Sequence, residues 1–177
     1  MRAPFLRHLV AANTLLVGCA VICGAAFAAS DGRRVVLPPA GSSAPAPIAE
    51  STVQIVRQNG RVWLFICAGV GSFGAAGAGV LVANAFRFGM DVATVALSAP
   101  AELTFLAAHG LLEFAAFTLA AAAVQYLGWM LLLLLAVNRS SGRLAIGLCA
   151  LAGSGGLVVL AAWVEALSHA ARIAGGG

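Results

Sequence analysis

Charge is what this sequence has least of. Asp, Glu, Arg and Lys together make up 9% of the 177 residues, and lysine is missing altogether, so all ten basic residues are arginine. A water-soluble domain is about a quarter charged. A chain this poor in charge has no means of covering a soluble surface, which excludes the soluble enzyme classes. The arginines are scattered, with no basic stripe carrying interleaved aromatics, so a nucleic-acid-binding face is excluded too. Cysteine is scarce: Cys19, Cys23, Cys67 and Cys149 form no CxxC pair and all lie in apolar runs. They read as small packing residues, and a disulfide framework or thiolate metal site lacks its spacing. HExxH, GxSxG, SxxK and the Walker loop are all absent.

What is present is apolar: 62% of the residues are hydrophobic and mean hydropathy is +1.00. The expected fold is all-α, an integral membrane helical bundle of about five transmembrane helices solvated by lipid. The first apolar run, Leu9 to Ala29, follows Arg2 and Arg7 and is long enough to cross a hydrocarbon core of about 30 Å. It reads as a retained anchor. The rival readings are a signal peptide cut after Ala28 and a lipoprotein leader with Cys19 as the lipidated residue. Further spans are expected at Val62–Ala83, at Val92–Ala108 with a bend or break at Pro100, at Leu111–Val137 and at Leu144–Leu167. Asn84 to Asp91 reads as a polar break between two of them. The only long polar stretch, residues 30–58, holds Pro38, Pro39, Pro45 and Pro47 and reads as an extracytoplasmic Pro/Ser-rich loop, with a short surface helix near Ser51 to Asn59. The chain thus divides into an anchor at 1–29, that loop at 30–58 and a helical membrane domain at 59–170.

Arginine placement sets the expected topology. Five spans put Arg2, Arg7, Arg87, Arg139 and Arg143 on one side, and the positive-inside rule makes that side, with the N-terminus, cytoplasmic, leaving Arg33 and Arg34 outside. Four spans, with 92–108 not crossing, would move Arg139 and Arg143 outside and fit less well. Gly71, Ala75 and Gly79 recur every four residues, a small-residue stripe expected to pack against another helix.

Four polar side chains interrupt the apolar runs: Asn84, His109, Glu113 and Glu165. A carboxylate at helix depth in a bilayer costs about 2.5–3.5 kcal/mol on insertion scales, so such groups face the bundle. His109 and Glu113 stand one turn apart on a face continued by Ala116, Ala120 and Ala123, and Gly110 beside them admits a close neighbour. Glu113 is there the expected partner of His109. Glu165 and His169 repeat the spacing in reverse order. Three readings stand: a hydrogen-bonded cluster that fixes helix register, a site for metal or proton chemistry, and a partner-binding groove. The residues leave the identity of any metal unknown and call for no cofactor.

At these positions the sequence resembles a known family. The run AHGLLEFAAFTLAAAAVQYLG is similar to the HGxxE signature of the stage II sporulation protein M family, matched directly at His109, Gly110 and Glu113. Asn84 to Gly89 resembles the family's NGxxxG segment, Trp163 to Ala166 its closing (I/V)EA segment, and Arg57 to Val62 the stretch before the second span. The likeness covers about residues 51–167. Ala85 stands where the family has Gly, Ala108 where it has Pro, and no Thr-Pro follows Ala166. The resemblance implies a multi-pass protein of the bacterial inner membrane without assigned chemistry. The expected function is a scaffold or accessory subunit for a membrane complex, in cell-wall remodelling or ABC-type export. Its implied partners are the lipid bilayer, another membrane protein or a transporter ATPase, and a second copy of the chain. The alternative is a membrane-embedded enzyme or permease using the His/Glu cluster.

Overall fold

The computed structural model describes residues 3–31, 48–137 and 144–175. They form five helices: α1 (Ala3–Asp31), α2 (Ile48–Ala68), α3 (Ala75–Ser98), α4 (Leu103–Val137) and α5 (Leu144–Gly175). Short 3-10 turns at Gly69–Ser72 and Pro100–Glu102 lead into α3 and α4, and no strand occurs among the described residues. The linkers 32–47 and 138–143, with Pro38, Pro39, Arg139 and Arg143, lie outside the described residues. The all-α membrane bundle is therefore what the chain forms. Four helices, α1, α3, α4 and α5, are long and apolar enough to cross a membrane. The fifth, α2, is not among them because Glu50, Gln54, Arg57, Gln58 and Arg61 load its first two-thirds with polar groups.

Runs of Ala, Leu and Val without internal proline favour these helices, and the few hydroxyls within them are accommodated locally. Thr14, Thr94 and Ser168 each donate to the carbonyl four residues back, at 2.8–2.9 Å. The bond back to the helix's own backbone satisfies each hydroxyl without a partner from another helix.

Three expected boundaries are corrected. Val62–Ala83 is not one span, because the chain turns sharply between α2 and α3. The Ser72 hydroxyl donates to the Gly69 carbonyl and accepts from the Ala76 N–H, and the Gly74 N–H closes on Gly69. Phe73 and Gly74 both take left-handed backbone, with φ 53° and 84°. Gly74 is suited to that conformation and also to its neighbour, since a Cβ there would strike Gln125 of α4. Conversely, Asn84–Asp91 is no break: α3 runs straight through it with Arg87 and Asp91 exposed one turn apart. Arg87 consequently does not lie in a loop beside the N-terminus. Pro100 opens a 3-10 turn before α4, as the expected break requires. The turn divides 92–108 between the end of α3 and the start of α4, however, so the span expected there is not one.

Contacts fix the helix directions. Asn13 and Phe5 of α1 meet Gln125 and Tyr126 of α4, and Phe73 meets Trp129. At the other end of the bundle, Phe88 of α3 packs on Phe114 of α4 with ring centroids 5.0 Å apart. Asn59 of α2 reaches Glu113, and Trp63 reaches Ser154 of α5. The helices alternate in direction, so one end gathers the start of α1, the Gly69–Gly74 corner and the start of α5. The opposite end gathers the ends of α1, α3 and α5 with the starts of α2 and α4.

The core is the middle of α4, which touches every other helix. Ala116, Ala120, Ala121, Ala122 and Ala123 are fully buried, and these small side chains let Ile66, Leu81 and Val158 close in around them. The stripe of Gly71, Ala75 and Gly79 plays no such part. Gly71 belongs to the corner, all three residues are exposed, and a Cβ on Gly71 or Gly79 would meet nothing. The close helix approach lies at Gly24 and Gly89 instead, where α1 and α3 cross with backbone against backbone.

Candidate functional site

Helix α4 begins at Leu103, just after the Pro100 turn, and this places His109 in its second turn near the bundle end. The His109 Nδ1 lies 2.7 Å from the Phe105 carbonyl. A carbonyl can only accept, so Nδ1 carries the hydrogen of this bond and Nε2 is the ring nitrogen left outside it. Glu113 is one turn deeper and accepts a hydrogen bond from the Asn59 side-chain amide of α2. Thus the expected His109–Glu113 partnership is replaced by two separate ones, each ring or carboxylate having a closer partner than the other.

Glu165 approaches from α5, near enough to Glu113 for the two carboxylates to interact electrostatically. Above them opens a cavity of about 410 Å³. The turn and first helical turns of α4 contribute Glu102, Phe105, Leu106 and His109 to its wall, and α5 contributes Glu165, Ser168 and His169. Ser51, Gln54 and Ile55 of α2 and Val95 of α3 complete it. A volume within the range of small-ligand pockets, part apolar with a few convergent polar groups, is the usual form of a binding site. Glu113 does not line this cavity but stands beneath it, held by Asn59.

Of the four polar residues singled out in the sequence, the structure brings His109, Glu113 and Glu165 to one region. Asn84 stays apart: its amide donates to the Val80 carbonyl on its own helix at 2.9 Å, and it does not line the cavity. Gly110 is buried under the Phe88 ring, where a Cβ would collide. Among the described residues, no group of three or more His, Cys, Asp or Glu side chains is arranged to hold a metal ion.

Several participants escaped sequence reasoning. Asn59, Ser51 and Gln54 sit in a stretch whose polarity reads as a surface. Asn13 is 1% exposed and donates to Gln125 at 2.9 Å, a buried amide pair joining α1 to α4 near the Gly69–Gly74 corner. Each is a lone amide in a long apolar run, a visible signal, but their pairing across 112 positions is not. Ser154 is likewise buried and receives the Trp63 indole N–H at 2.9 Å.

With this geometry in place, comparison with known families is decisive. The family model for Stage II sporulation protein M matches residues 12–168. The chain belongs to the stage II sporulation protein M family. No curated protein and no solved structure gives a significant match. The match begins inside α1, so it extends beyond the stretch from residue 51 where the likeness was legible. In this stage II sporulation protein M family member each matched position of the HGxxE signature has its own task. His109 faces the cavity, Gly110 admits Phe88, and Glu113 receives Asn59.

Proposed function

We propose that this protein is a non-enzymatic scaffold or accessory subunit of a membrane complex, serving cell-wall remodelling or ABC-type export, and that its partner engages the cavity end of the bundle. The observation that carries this reading is the cavity itself. Below it the helices close on a buried alanine-rich core, whereas at this end side chains from four helices surround polar groups.

Two girdles support placing that end outside the hydrocarbon. Arg57, Arg61 and Arg87 are all exposed and, through the Asn59–Glu113 and Phe88–Gly110 contacts, lie level with Glu113. Arg7, His8 and Trp129 are exposed toward the other end. From Glu113 to Trp129 the helix rises about 24 Å, close to the thickness of a hydrocarbon core. Arginine and tryptophan favour the two boundaries of a bilayer. The cavity stands beyond the Arg57/Arg61/Arg87 girdle. A cytoplasmic N-terminus in a bacterial inner membrane is part of this proposal, and it puts Arg7 at the inner boundary and Arg57, Arg61 and Arg87 at the outer one.

The test is recovery of a partner. Tagged full-length protein is crosslinked in native membranes and purified in mild detergent. A defined second protein is expected in constant ratio, and it is expected to disappear with Leu106→Trp, which fills the cavity. Recovery of the lone chain under several detergents contradicts the reading.

A further inference from the structure

The cavity's wall has a definite chemical character. Its polar lining includes the Glu102 and Glu165 carboxylates, the His109 and His169 rings and the oxygen of Ser168, whose hydrogen is already committed to the Val164 carbonyl at 2.8 Å. Among the described residues, no Arg or Lys lines it. Phe105, Leu106 and Val95 add apolar lining beside them. Carboxylates and acceptors next to hydrocarbon suit a cationic nitrogen on an apolar stem.

The rim suggests where that group comes from. Val53 is 68% exposed and Leu97 67% exposed, on the helices that flank the cavity and beyond the arginine girdle. Large apolar side chains lying outside the hydrocarbon are covered by protein more readily than by lipid tails. We propose that the cavity receives an arginine or lysine side chain of an extracytoplasmic protein segment, whose flanking apolar residues cover Val53 and Leu97. This rests on the scaffold reading and adds to it the chemistry by which the partner is recognised. Glu165 takes the charged head, and Phe105 and Leu106 hold the stem.

The probe is butylguanidinium, which carries an arginine head on a short apolar stem, and its control is N-butylurea, of the same shape without the charge. Full-length protein in phosphatidylcholine nanodiscs is titrated with each, and thermal unfolding is followed by tryptophan fluorescence. Butylguanidinium is expected to raise the midpoint in a saturable way, while N-butylurea leaves it unchanged. Glu165→Gln is expected to weaken the apparent affinity about tenfold or more, as loss of one charge-assisted hydrogen bond requires. Leu106→Trp, which leaves every polar group in place, is expected to abolish the effect. Equal action of the two probes, no action of butylguanidinium, or an unchanged affinity in Glu165→Gln overturns the proposal. Competition from phosphatidylethanolamine added to the nanodiscs would give the cavity to a lipid amine and overturn it as well. Saturable probe binding with no partner recovered from membranes would instead remove the scaffold reading, whereas a partner retained by Leu106→Trp would remove the cavity assignment alone.

Discussion

The side-chain amide of Asn59 on α2 donates to the carboxylate of Glu113 on α4, and this bond ties the least apolar helix of the bundle to its most central one. It explains how a helix too polar to qualify as a span by itself is held against the core. The polar groups α2 turns inward find partners there, Asn59 on Glu113 and Trp63 on Ser154, while Arg57 and Arg61 stay exposed.

Replacing Glu113 by Leu therefore strands the Asn59 amide, not His109, whose ring keeps its bond to Phe105. The expected loss is about 1–3 kcal/mol of stability, the usual penalty for an unsatisfied buried partner. A double-mutant cycle of Asn59→Ala with Glu113→Gln, read by denaturation in detergent, should show coupling between the two. Additive effects would mean that the bond contributes nothing.

Asn13 and Gln125 form the second interhelical link, near the Gly69–Gly74 corner. Asn13→Leu should destabilise the bundle by about 1–2 kcal/mol, the range for hydrogen bonds between helices in membranes. Thr14→Leu, at an exposed neighbour bonded only to its own helix, should change little by the same assay.

Backbone contact between α1 and α3 gives a steric prediction. A side chain at Gly89 would run into the Val21 carbonyl, whereas one at Gly79 would meet nothing. Gly89→Val should cost about 1–3 kcal/mol by overpacking and loosen α1 from the bundle. Gly79→Ala should be neutral within this chain. Limited proteolysis of detergent-purified variants distinguishes the two.

The girdles predict water exposure. In a background without the four free cysteines, cysteine at Val53 or Leu97 should react with a membrane-impermeant maleimide. Cysteine at Leu15 or Phe65, exposed side chains between the girdles, should not. Protection at all four positions would move the bilayer boundary outward past the cavity.

How far the sequence carries can be judged at particular residues. The membrane bundle and the Pro100 break were legible because composition and a missing N–H act locally. The Gly69–Gly74 corner was not: hydropathy is unbroken across it, and the turn depends on the Ser72 hydroxyl and on the support of Gln125, 51 positions beyond Gly74. Arg87 and Asp91 read as a loop because charge in an apolar run has two explanations, a break or a helix face near a bilayer boundary, and only the structure separates them. His109 and Glu113 stood out as polar residues in lipid and as part of a resemblance. Asn59 did not, since an amide in an already polar stretch gives no contrast.

The convergence of α2, α4 and α5 around one cavity is the claim on which the rest depends, and a crosslink tests it most directly. Gln54→Cys and His169→Cys are combined in the cysteine-free background and treated in native membranes with a short bis-maleimide. Since both positions line the same cavity, efficient intramolecular bridging is expected. Absence of bridging, with each single cysteine still reactive, would show that α2 and α5 do not meet there and that the cavity does not exist.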